Sequence, residues 1–434
     1  MVPNEISKLE LIQARISFIP EGWKLDKVGE ALNIKNNFRK PISQEVRSLI
    51  PGPYPYYGPT KIQDHIADYE QDGIYALIGE DGDHFLKYET MRQTQFISGK
   101  CTVNNHAHII ESSDTCDSEW FYIYFQYRNI TNFLSRQGAG RFKLNKATLE
   151  KLPLLVPPLP EQQKIAKILS TWDKAISTTE RLIENSTKQK KALMQQLLTG
   201  KKRLLDDEGK RFEGEWEENI KCYMESNKYL PSQLGKTPDD WKRVRLSDVM
   251  KVRQGLQIAI SERLQIPTNT SKEYITIQSI KKVDQSREYV DDFSERVVCS
   301  KEDVLMTRTG NTGIVVTDVE GVFHNNFFLM DFNRKKVNKD FLINYLRSTR
   351  VQHLILTKAG SSTIPDLNHK DFYSIEFPLP SLAEQQKIAT VLTNADKEIE
   401  LLEQQLAGLQ QEKKALMQVL LTGKKRVIVD GEVA

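Results

Sequence analysis

Residues 157–204 read PPLPEQQKIAKILSTWDKAISTTERLIENSTKQKKALMQQLLTGKKRL, and residues 380–427 read PSLAEQQKIATVLTNADKEIELLEQQLAGLQQEKKALMQVLLTGKKRV. The two stretches lie 223 residues apart, align without a gap and share 26 of 48 residues. A repeat at a fixed offset marks a duplicated structural unit. The sequence therefore predicts a chain built twice on one plan.

Each copy of the repeat has the pattern of one long helix. A proline-rich segment precedes Glu161, and Gly200 stands two residues after the Leu197-Leu198 pair, as expected at a helix end. Apolar positions recur at spacings of 4 and 3, which average the 3.5-residue period of a coiled coil. About 39 residues at ~1.5 Å each give a rod of about 58 Å. Two such rods pair most simply with each other, antiparallel; the alternative is two unrelated amphipathic helices.

The predicted seam of this coiled coil keeps one register in both copies. Polar residues occupy it at Thr179, Ser186, Lys190 and Lys413. Its other members are Ile165, Leu169, Trp172, Ile176, Ile183, Leu193 and Leu197 in the first copy, and Ile388, Leu392, Ala395, Ile399, Leu402, Leu406, Leu409, Leu416 and Leu420 in the second.

Composition places the chain among water-soluble globular proteins. Its 434 residues are 39% hydrophobic and 27% charged, which is enough chain for two or three domains. We find no apolar run long enough for a transmembrane helix and no signal peptide pattern at the start. The four cysteines form no CxxC pair, which predicts a reducing, cytoplasmic location and no zinc site.

The net charge of +3 is unevenly distributed. Residues 161–203 hold ten Lys or Arg and four Asp or Glu, residues 19–156 hold 16 and 17, and residues 237–379 hold 21 and 19. A protein that bound DNA through charge alone would be broadly basic. DNA binding by this chain would therefore need local patches and a partner.

Two globular segments alternate with the helices. Both begin with a similar string around Trp23 or Trp241, and both end at a Leu-Asn pair, 144–145 and 367–368; between these ends they show little similarity. Alternation predicts strands at 73–79, 101–110, 273–280, 303–310 and 313–318, and helices at 119–133 and 340–356. We predict an α+β chain with two α/β domains and an antiparallel coiled coil, related by an internal pseudo-two-fold repeat. Its segments are a lead (1–18), the first domain (19–156), the first helix (157–204), a linker (205–236), the second domain (237–379), the second helix (380–427) and a tail (428–434).

Catalytic motifs are missing from the sequence. It has no GxxxxGK[ST] phosphate loop, no GxGxxG after a strand, and no Asn/Asp-Pro-Pro-Tyr/Phe quartet of an amino methyltransferase. Acidic-x-Lys fragments at 208–210 and 240–242 lack the flanking strands of a nuclease site. His106 and His108 are predicted on one face of a strand, but two histidines alone make a poor metal site.

The order of these segments resembles the specificity (S) subunit of type I restriction-modification systems. The resemblance covers roughly residues 19–426, and the doubled helix with its EQQKIA and LLTGKKR strings is its most specific part. The first domain has no equivalent of the MTRTGNTG string of the second, which predicts no one-to-one match between the two domains. Further family-like strings are YPYYGPTKIQD (54–64), IGEDGD (78–83), SGKCTVNNHAH (98–108), DVLMTRTGNTG (303–313) and AGSSTIPDLN (359–368).

The resemblance implies that each domain is a target recognition domain for one half of a bipartite, asymmetric double-stranded DNA sequence. It implies two modification subunits docked on the helices, which bind S-adenosylmethionine and methylate adenine at N6. Restriction subunits, which use ATP and Mg, can join the complex. The chain itself is then expected to catalyse nothing and to bind no cofactor, no metal and no membrane.

Candidate DNA-contacting residues are polar side chains on loops that could reach a groove or a phosphate. Arginine, lysine and amide side chains can read base edges, and glycine lets the backbone come close. In the first domain they are Tyr56, Tyr57, Thr60, Lys61, Asn104, Asn105, His106, Arg136, Gln137 and Arg141. In the second domain they are Arg253, Gln254, Gln278, Lys281, Arg308, Thr309, Asn311, His324, Asn325, Asn326, Lys358, Ser361 and Ser362.

Two other functions compete with this one. A scaffold that assembles helical partners without reading DNA would explain the near-neutral domains. An autonomous nuclease would require metal-dependent cleavage by the chain alone.

Overall fold

The structure is a computed structural model that describes residues 6–137, 141–205, 208–210, 237–238, 240–281, 287–360 and 364–429. The chain forms two compact units: unit 1 contains Met1–Glu180 and Gln404–Ala434, and unit 2 contains Arg181–Glu403. Each unit therefore combines one globular domain with the first part of one long helix and the last part of the other. Most of the predicted linker and the end of the predicted tail lie outside the described residues.

The helices differ greatly in length, and two of them dominate. The α-helices of the described residues are α1 (Lys8–Gln13), α2 (Val28–Ala31), α3 (Gln44–Leu49), α4 (Ser118–Phe125), α5 (Lys146–Lys151), α6 (Leu159–Leu197), α7 (Leu246–Val249), α8 (Ile277–Lys281), α9 (Lys339–Arg347), α10 (Thr349–Ala359), α11 (His369–Tyr373) and α12 (Leu382–Leu420).

The two long helices, α6 and α12, have 39 residues each, as the repeat predicts. Gly200 and Gly423 follow their C-terminal ends with φ of 68° and 67°. This left-handed conformation is strained for other residues and common where a helix ends. The shared glycine therefore sets the same end for both helices.

Within each unit the first part of one long helix packs antiparallel on the last part of the other. In unit 1, Lys413 Nζ lies 2.8 Å from Asp173 Oδ2, and in unit 2 Lys190 pairs with Asp396. Burial lowers the pKa of Lys413, although its hydrogen bond to Asp173 raises it. The two pairs are equivalent in the repeat, so one contact occurs twice with the helices exchanged. The predicted antiparallel coiled coil is confirmed.

The seam positions are all buried or half-buried, whereas most residues between them are exposed. Ile165, Leu169, Ile388 and Leu392 join the cores of the globular domains and are almost fully buried. Farther along the helices, side chains such as Ile183 are half-buried. The first turns of each helix thus belong to a domain core, and the middle forms a narrower seam.

Unit 1 contains a six-stranded sheet of order β2-β7-β5-β6-β3-β4 and two smaller pairs, β1-β10 and β8-β9. Helix α4 packs on the large sheet and contributes Trp120 and Phe121, both fully buried. The strands are β1 (Lys24–Lys27), β2 (Asn33–Ile34), β3 (Pro51–Tyr57), β4 (Ile62–Ile66), β5 (Gln71–Gly79), β6 (Thr94–Val103), β7 (Ala107–Glu111), β8 (Ser135–Gln137), β9 (Arg141–Lys143) and β10 (Pro153–Val156).

Unit 2 contains two four-stranded sheets, β12-β19-β16-β17 and β14-β13-β18-β15, and the pair β11-β20. Its core is built on α9, whose Phe341, Leu342 and Leu346 are fully buried. The strands are β11 (Lys242–Arg245), β12 (Met250–Gln254), β13 (Lys272–Ile275), β14 (Tyr289–Val290), β15 (Val298–Cys299), β16 (Val304–Thr307), β17 (Val315–Val316), β18 (Gly321–Phe323), β19 (Phe327–Phe332) and β20 (Glu376–Leu379).

Local predictions were right for isolated strands and wrong where an element ends early. The strand predicted at 73–79 is β5, whereas the strand predicted at 303–310 is β16 and ends at Thr307. The strand predicted at 101–110 is parts of β6 and β7, separated by residues 104–106, and the helix predicted at 119–133 is α4, which ends at Phe125. The strand predicted at 273–280 ends at Ile275, and α8 follows it. The helix predicted at 340–356 is two helices, because Ser348 has an extended ψ of 141°. In these last two cases a short polar residue, Thr276 or Ser348, separates two elements.

Candidate nucleic-acid interface

A buried carboxylate joins the globular domain of unit 1 to both long helices. Glu161, in the first turn of α6, accepts hydrogen bonds from Trp23 Nε1 at 2.9 Å and from Arg426 Nε and Nη2 at 2.7 Å each. The Glu161 side chain is 3% exposed. A buried carboxylate is stable only when it is paired and hydrogen-bonded in this way. The contact fixes the domain, the start of α6 and the segment after α12 together.

Unit 2 repeats this arrangement with the helices exchanged. Glu384, at the start of α12, accepts from Trp241 Nε1 at 3.0 Å and from Arg203 Nε at 2.7 Å. Arg203 also donates to both oxygens of Asp240 at 2.8 Å. This explains why both domains begin with a similar string around Trp23 or Trp241: each tryptophan donates to the buried glutamate of its unit.

Two backbone hydrogen bonds beside the predicted DNA-contacting residues are also the same in both domains. In unit 1, Glu80 N donates to His106 O at 2.8 Å, and Leu144 N donates to Glu80 O at 2.7 Å. In unit 2, Arg308 N donates to Asn326 O at 2.7 Å, and Leu367 N donates to Arg308 O at 2.8 Å. These bonds make residues 79–82, the β5 loop, equivalent to residues 307–310 at the start of the β16 loop (307–313).

Residues 307–310 of the MTRTGNTG string therefore have a structural counterpart in the first domain, although no similar sequence marks it. The match was invisible in the sequence because the shared bonds are made by backbone atoms, which any side chain permits. The residues that flank the two loops are likewise equivalent: the β6–β7 turn (104–106) corresponds to the β18–β19 turn (324–326).

One ion pair on this shared frame has opposite polarity in the two units. In unit 1 the acid is on the loop, where Glu80 lies 2.7 Å from Arg39 Nη1 and 3.3 Å from Lys143 Nζ. In unit 2 the base is on the loop, where Arg308 Nη2 lies 2.9 Å from Asp366. Lys143 and Asp366 are equivalent, since each precedes the matched Leu-Asn pair.

The Glu80 carboxyl stays ionised in its pair. Burial acts to raise the pKa of Glu80, but the hydrogen bond from Arg39, together with His108 and Lys143, lowers it below its ordinary value. The frame is thus shared, but the charges that it presents are not.

Two of the predicted residues in the β6–β7 turn lie on the surface. Asn105 and His106 are exposed, and His106 Nδ1 lies 3.3 Å from Asp81 Oδ1. Arg39 Nη1 donates to Asn105 O at 3.0 Å. Asn104, by contrast, is 4% exposed and accepts from His106 N at 2.8 Å. Its predicted role in base contact is wrong, because the side chain closes the turn from inside.

The prediction for Tyr56 is also wrong. Tyr56 is predicted on a loop, but it lies in strand β3 and is 1% exposed. Its hydroxyl accepts from Ile42 N at 2.9 Å and donates to Lys40 O at 3.1 Å. Arg47 lies over its ring at 4.8 Å. Tyr56 is a core residue that holds the segment before α3.

Unit 2 has the same anchor. Tyr274 is fully buried; it accepts from Ile258 N at 3.0 Å, donates to Leu256 O at 2.7 Å and lies under Arg263.

The remaining candidates near the turn of unit 1 are more accessible: Lys61 is exposed, and Tyr57 and Thr60 are half-buried.

The two histidines of the 106–108 string do not share a face. His106 is in the exposed turn, whereas His108 is 1% exposed and lies 2.7 Å from Leu144 O through Nε2. Burial lowers the pKa of His108. Within the described part of the chain, no group of three or more His, Cys, Asp or Glu side chains could hold a metal ion.

The predicted residues of unit 2 come together at the ends of β12, β16 and β18. Gln254 Nε2 donates to Asn325 O at 3.3 Å, and Asn326 N donates to His324 Nδ1 at 3.1 Å. Burial, and next the charge of Arg263, lower the pKa of His324. Arg253 Nε and Asn325 Oδ1 are buried without a hydrogen-bond partner among the described residues. Such groups are usually satisfied by water or a ligand.

The β16 loop beside this cluster is held from within. Thr312 Oγ1 donates to Arg308 O at 3.0 Å, and Thr309 Oγ1 donates to Asp366 Oδ1 at 2.5 Å. Gly310, with φ of 80°, turns the chain at its tip. Asn311 is exposed next to it. Arg308, also bonded to Leu367 O at 3.3 Å, positions the loop.

The other predicted residues are separate or undescribed. Gln278 is exposed on α8, and Lys358 is half-buried on α10. Ser361 and Ser362 lie outside the described residues, as do the side chains of Arg136, Gln137, Arg141 and Lys281. Arg39, Glu80, Asp81 and Lys143 lie on or beside the β5 loop but are not among the candidates predicted from the sequence. The IGEDGD string contains three carboxylates, of which Glu80 and Asp81 lie at this position.

The model of the type I restriction modification DNA specificity domain family matches residues 20–186 and 238–411. Because the match covers most of the chain, this chain belongs to that family, as the resemblance predicted. It is a specificity subunit and not an enzyme. No helix of the described residues is long and apolar enough to cross a membrane.

Relatives and solved structures agree with this assignment. The MjaVIII specificity subunit of Methanocaldococcus jannaschii is 24% identical over 425 residues, which cover 94% of each chain. The putative subunit S.HindORF215P of Haemophilus influenzae is 37% identical over 147 residues, 34% of this chain and 36% of its own. The S subunit of M. genitalium superposes with a TM-score of 0.59 at 14% identity, covering 93% of this chain and 96% of that one. At this identity the solved structure establishes the fold alone.

Proposed function

We propose that this specificity subunit reads a bipartite, asymmetric double-stranded DNA sequence, one half with each globular domain. It directs two modification subunits to methylate adenine at N6 and, with restriction subunits, directs cleavage. The observation that carries the proposal is the pair of equivalent loops: one backbone frame presents different polar groups in each unit. Different side chains on one frame are what two unlike half-sites require, because base edges are distinguished by their donors and acceptors.

The shared parts of the chain suit partners that are the same on both sides. In the middle of the helices, residues 171–189, 12 positions are exposed in the first copy and only Lys174 and Glu180 are repeated in the second. At the end, residues 190–203, six are exposed and five are repeated. These five, with their equivalents, form the helix-end surface: Lys191, Ala192, Gln195, Lys201, Lys202, Lys414, Ala415, Gln418, Lys424 and Lys425.

Exposed residues that are repeated without a packing role indicate one contact made twice. Lysines near a helix C-terminus also favour the helix dipole, but this does not explain Lys191, which lies more than two turns before Gly200. The helix-end surface contains no acidic residue, which favours an acidic surface on the partner. We assign it to the two modification subunits.

Cofactors then belong to the partners. S-adenosylmethionine would bind the modification subunits, and ATP and Mg the restriction subunits. This chain binds neither and works in the cytoplasm, where its DNA substrate is.

The test is expression of the chain with a modification subunit of the same system, followed by methylome sequencing of the host DNA. We expect N6-methyladenine in one split motif, and both halves should change when both globular domains are replaced. Host DNA without a methylated split motif, despite a formed complex, would contradict the proposal.

A scaffold without DNA readout is the second candidate, favoured by the near-neutral domains. The two are separated by DNA binding of the assembled complex at several salt concentrations. Phosphate contacts impose a steep fall of log affinity with log salt, whereas a scaffold would show no such binding.

A further inference from the structure

We propose that the Asp81 carboxylate determines one base of the first half-site by accepting a hydrogen bond from the exocyclic amino group of an adenine or a cytosine. The inference rests on the proposed function and adds to it a residue and a class of base. It starts from the position of Asp81, next to Glu80 at the tip of the β5 loop.

The structure holds Asp81 at the surface. Its backbone is bridged to Lys143, and its side chain is 33% exposed. Its carboxylate lies 3.3 Å from His106 Nδ1, a long distance for a charged pair. The neighbouring cations Arg39 and Lys143 are bonded to Glu80. Asp81 therefore presents negative charge beside the exposed β6–β7 turn.

Negative charge on a DNA face is selective. Phosphates repel it, and so do the acceptors N7 and O6 of guanine and O4 of thymine. The major groove offers a carboxylate a donor at cytosine N4 and adenine N6. A carboxylate in this position thus both selects an amino group and excludes the bases without one.

The equivalent position in unit 2 carries no charge. Thr309 follows Arg308 on the same frame, and its hydroxyl donates to Asp366. The requirement for an amino group should therefore apply to the first half-site and not to the second. This asymmetry makes Asp81 testable against its own counterpart.

The experiment measures methylation rates of the assembled complex on duplexes in which each base pair of both half-sites is varied. We expect Asp81→Asn to lose about 5- to 150-fold of the discrimination at one base pair of the first half-site. The second half-site should be unchanged. Asp81→Glu should keep the preference at a reduced rate. Asp114→Asn, the same change at an exposed position of the same unit, is the matched control.

Two results would overturn the inference while the proposed function stands. One is unchanged discrimination by Asp81→Asn, and the other is an equal loss on all sequences, which would make Asp81 a structural residue. A native complex that methylates no split sequence would instead refute the proposed function.

Discussion

Unit 1 and unit 2 are most alike in the buried contacts between each domain and the long helices, and they differ most in the polar side chains of the equivalent loops. Glu161 and Glu384 bind a tryptophan and an arginine in the same way, whereas the ion pair at Glu80 and Arg308 has opposite polarity. The backbone frame and the side chains that it presents can therefore vary independently. A duplicated frame keeps two domains mounted alike, and only side chains on it need to change to create an unlike half-site.

The largest expected effect is at the seam, where the two helices are not equally buried. Ile176 is 8% exposed, whereas its equivalent Ile399 is half-buried. Ile176→Asp should cost about 3–5 kcal/mol of unfolding free energy, because a cavity and an unpaired buried charge add. Ile399→Asp should cost less. Urea unfolding and size-exclusion chromatography of the complex measure both, and equal losses would show that the seam is symmetric.

The next effect is expected at the buried carboxylates. Glu161→Ala and Glu384→Ala each leave a buried tryptophan N–H unpaired and should cost about 2–4 kcal/mol. The two losses should be similar, because Arg203 keeps its bonds to Asp240 and Arg426 keeps its bond to Glu21 O at 2.6 Å. Thermal unfolding monitored by tryptophan fluorescence tests this, with the exposed Glu180→Ala as control. If neither loss is larger than that of the control, the two buried carboxylates do not stabilise the fold.

A smaller effect is expected at the helix-end surface. Reversing the charge of Lys191 and Lys414 together should weaken binding of the modification subunit about 10-fold, or about 1.4 kcal/mol. Lys188→Glu, three residues away and not repeated in the second copy, should change binding little. Titration calorimetry gives both affinities. If Lys188→Glu has the larger effect, the partner binds the middle of the helices instead.

The two long helices could be predicted from the sequence, whereas the equivalence of the two polar loops could not. The repeat identifies α6 and α12, because the spacing of their apolar side chains matches the coiled-coil seam that these side chains form. The equivalence of Glu80 and Arg308 depends on backbone bonds, which leave no trace in residue identity. Tyr56 was misread for a related reason: prolines and glycines around it are typical of a turn, but the tyrosine ring is buried in a strand next to Arg47.

The smallest effect is expected at the Arg308–Asp366 ion pair of unit 2. Arg308→Ala should shift only the second half-site, because the guanidinium positions the β16 loop through Asp366 and Leu367 O. The double reversal Arg308→Glu with Asp366→Lys copies the polarity of Glu80 and Lys143. It should recover about 0.5–1 kcal/mol relative to the sum of the single changes. A double-mutant cycle on unfolding free energy measures this coupling. If coupling is present and the second half-site still changes its base preference, the polarity of the pair contributes to readout; if the preference is unchanged, the pair supports the loop alone.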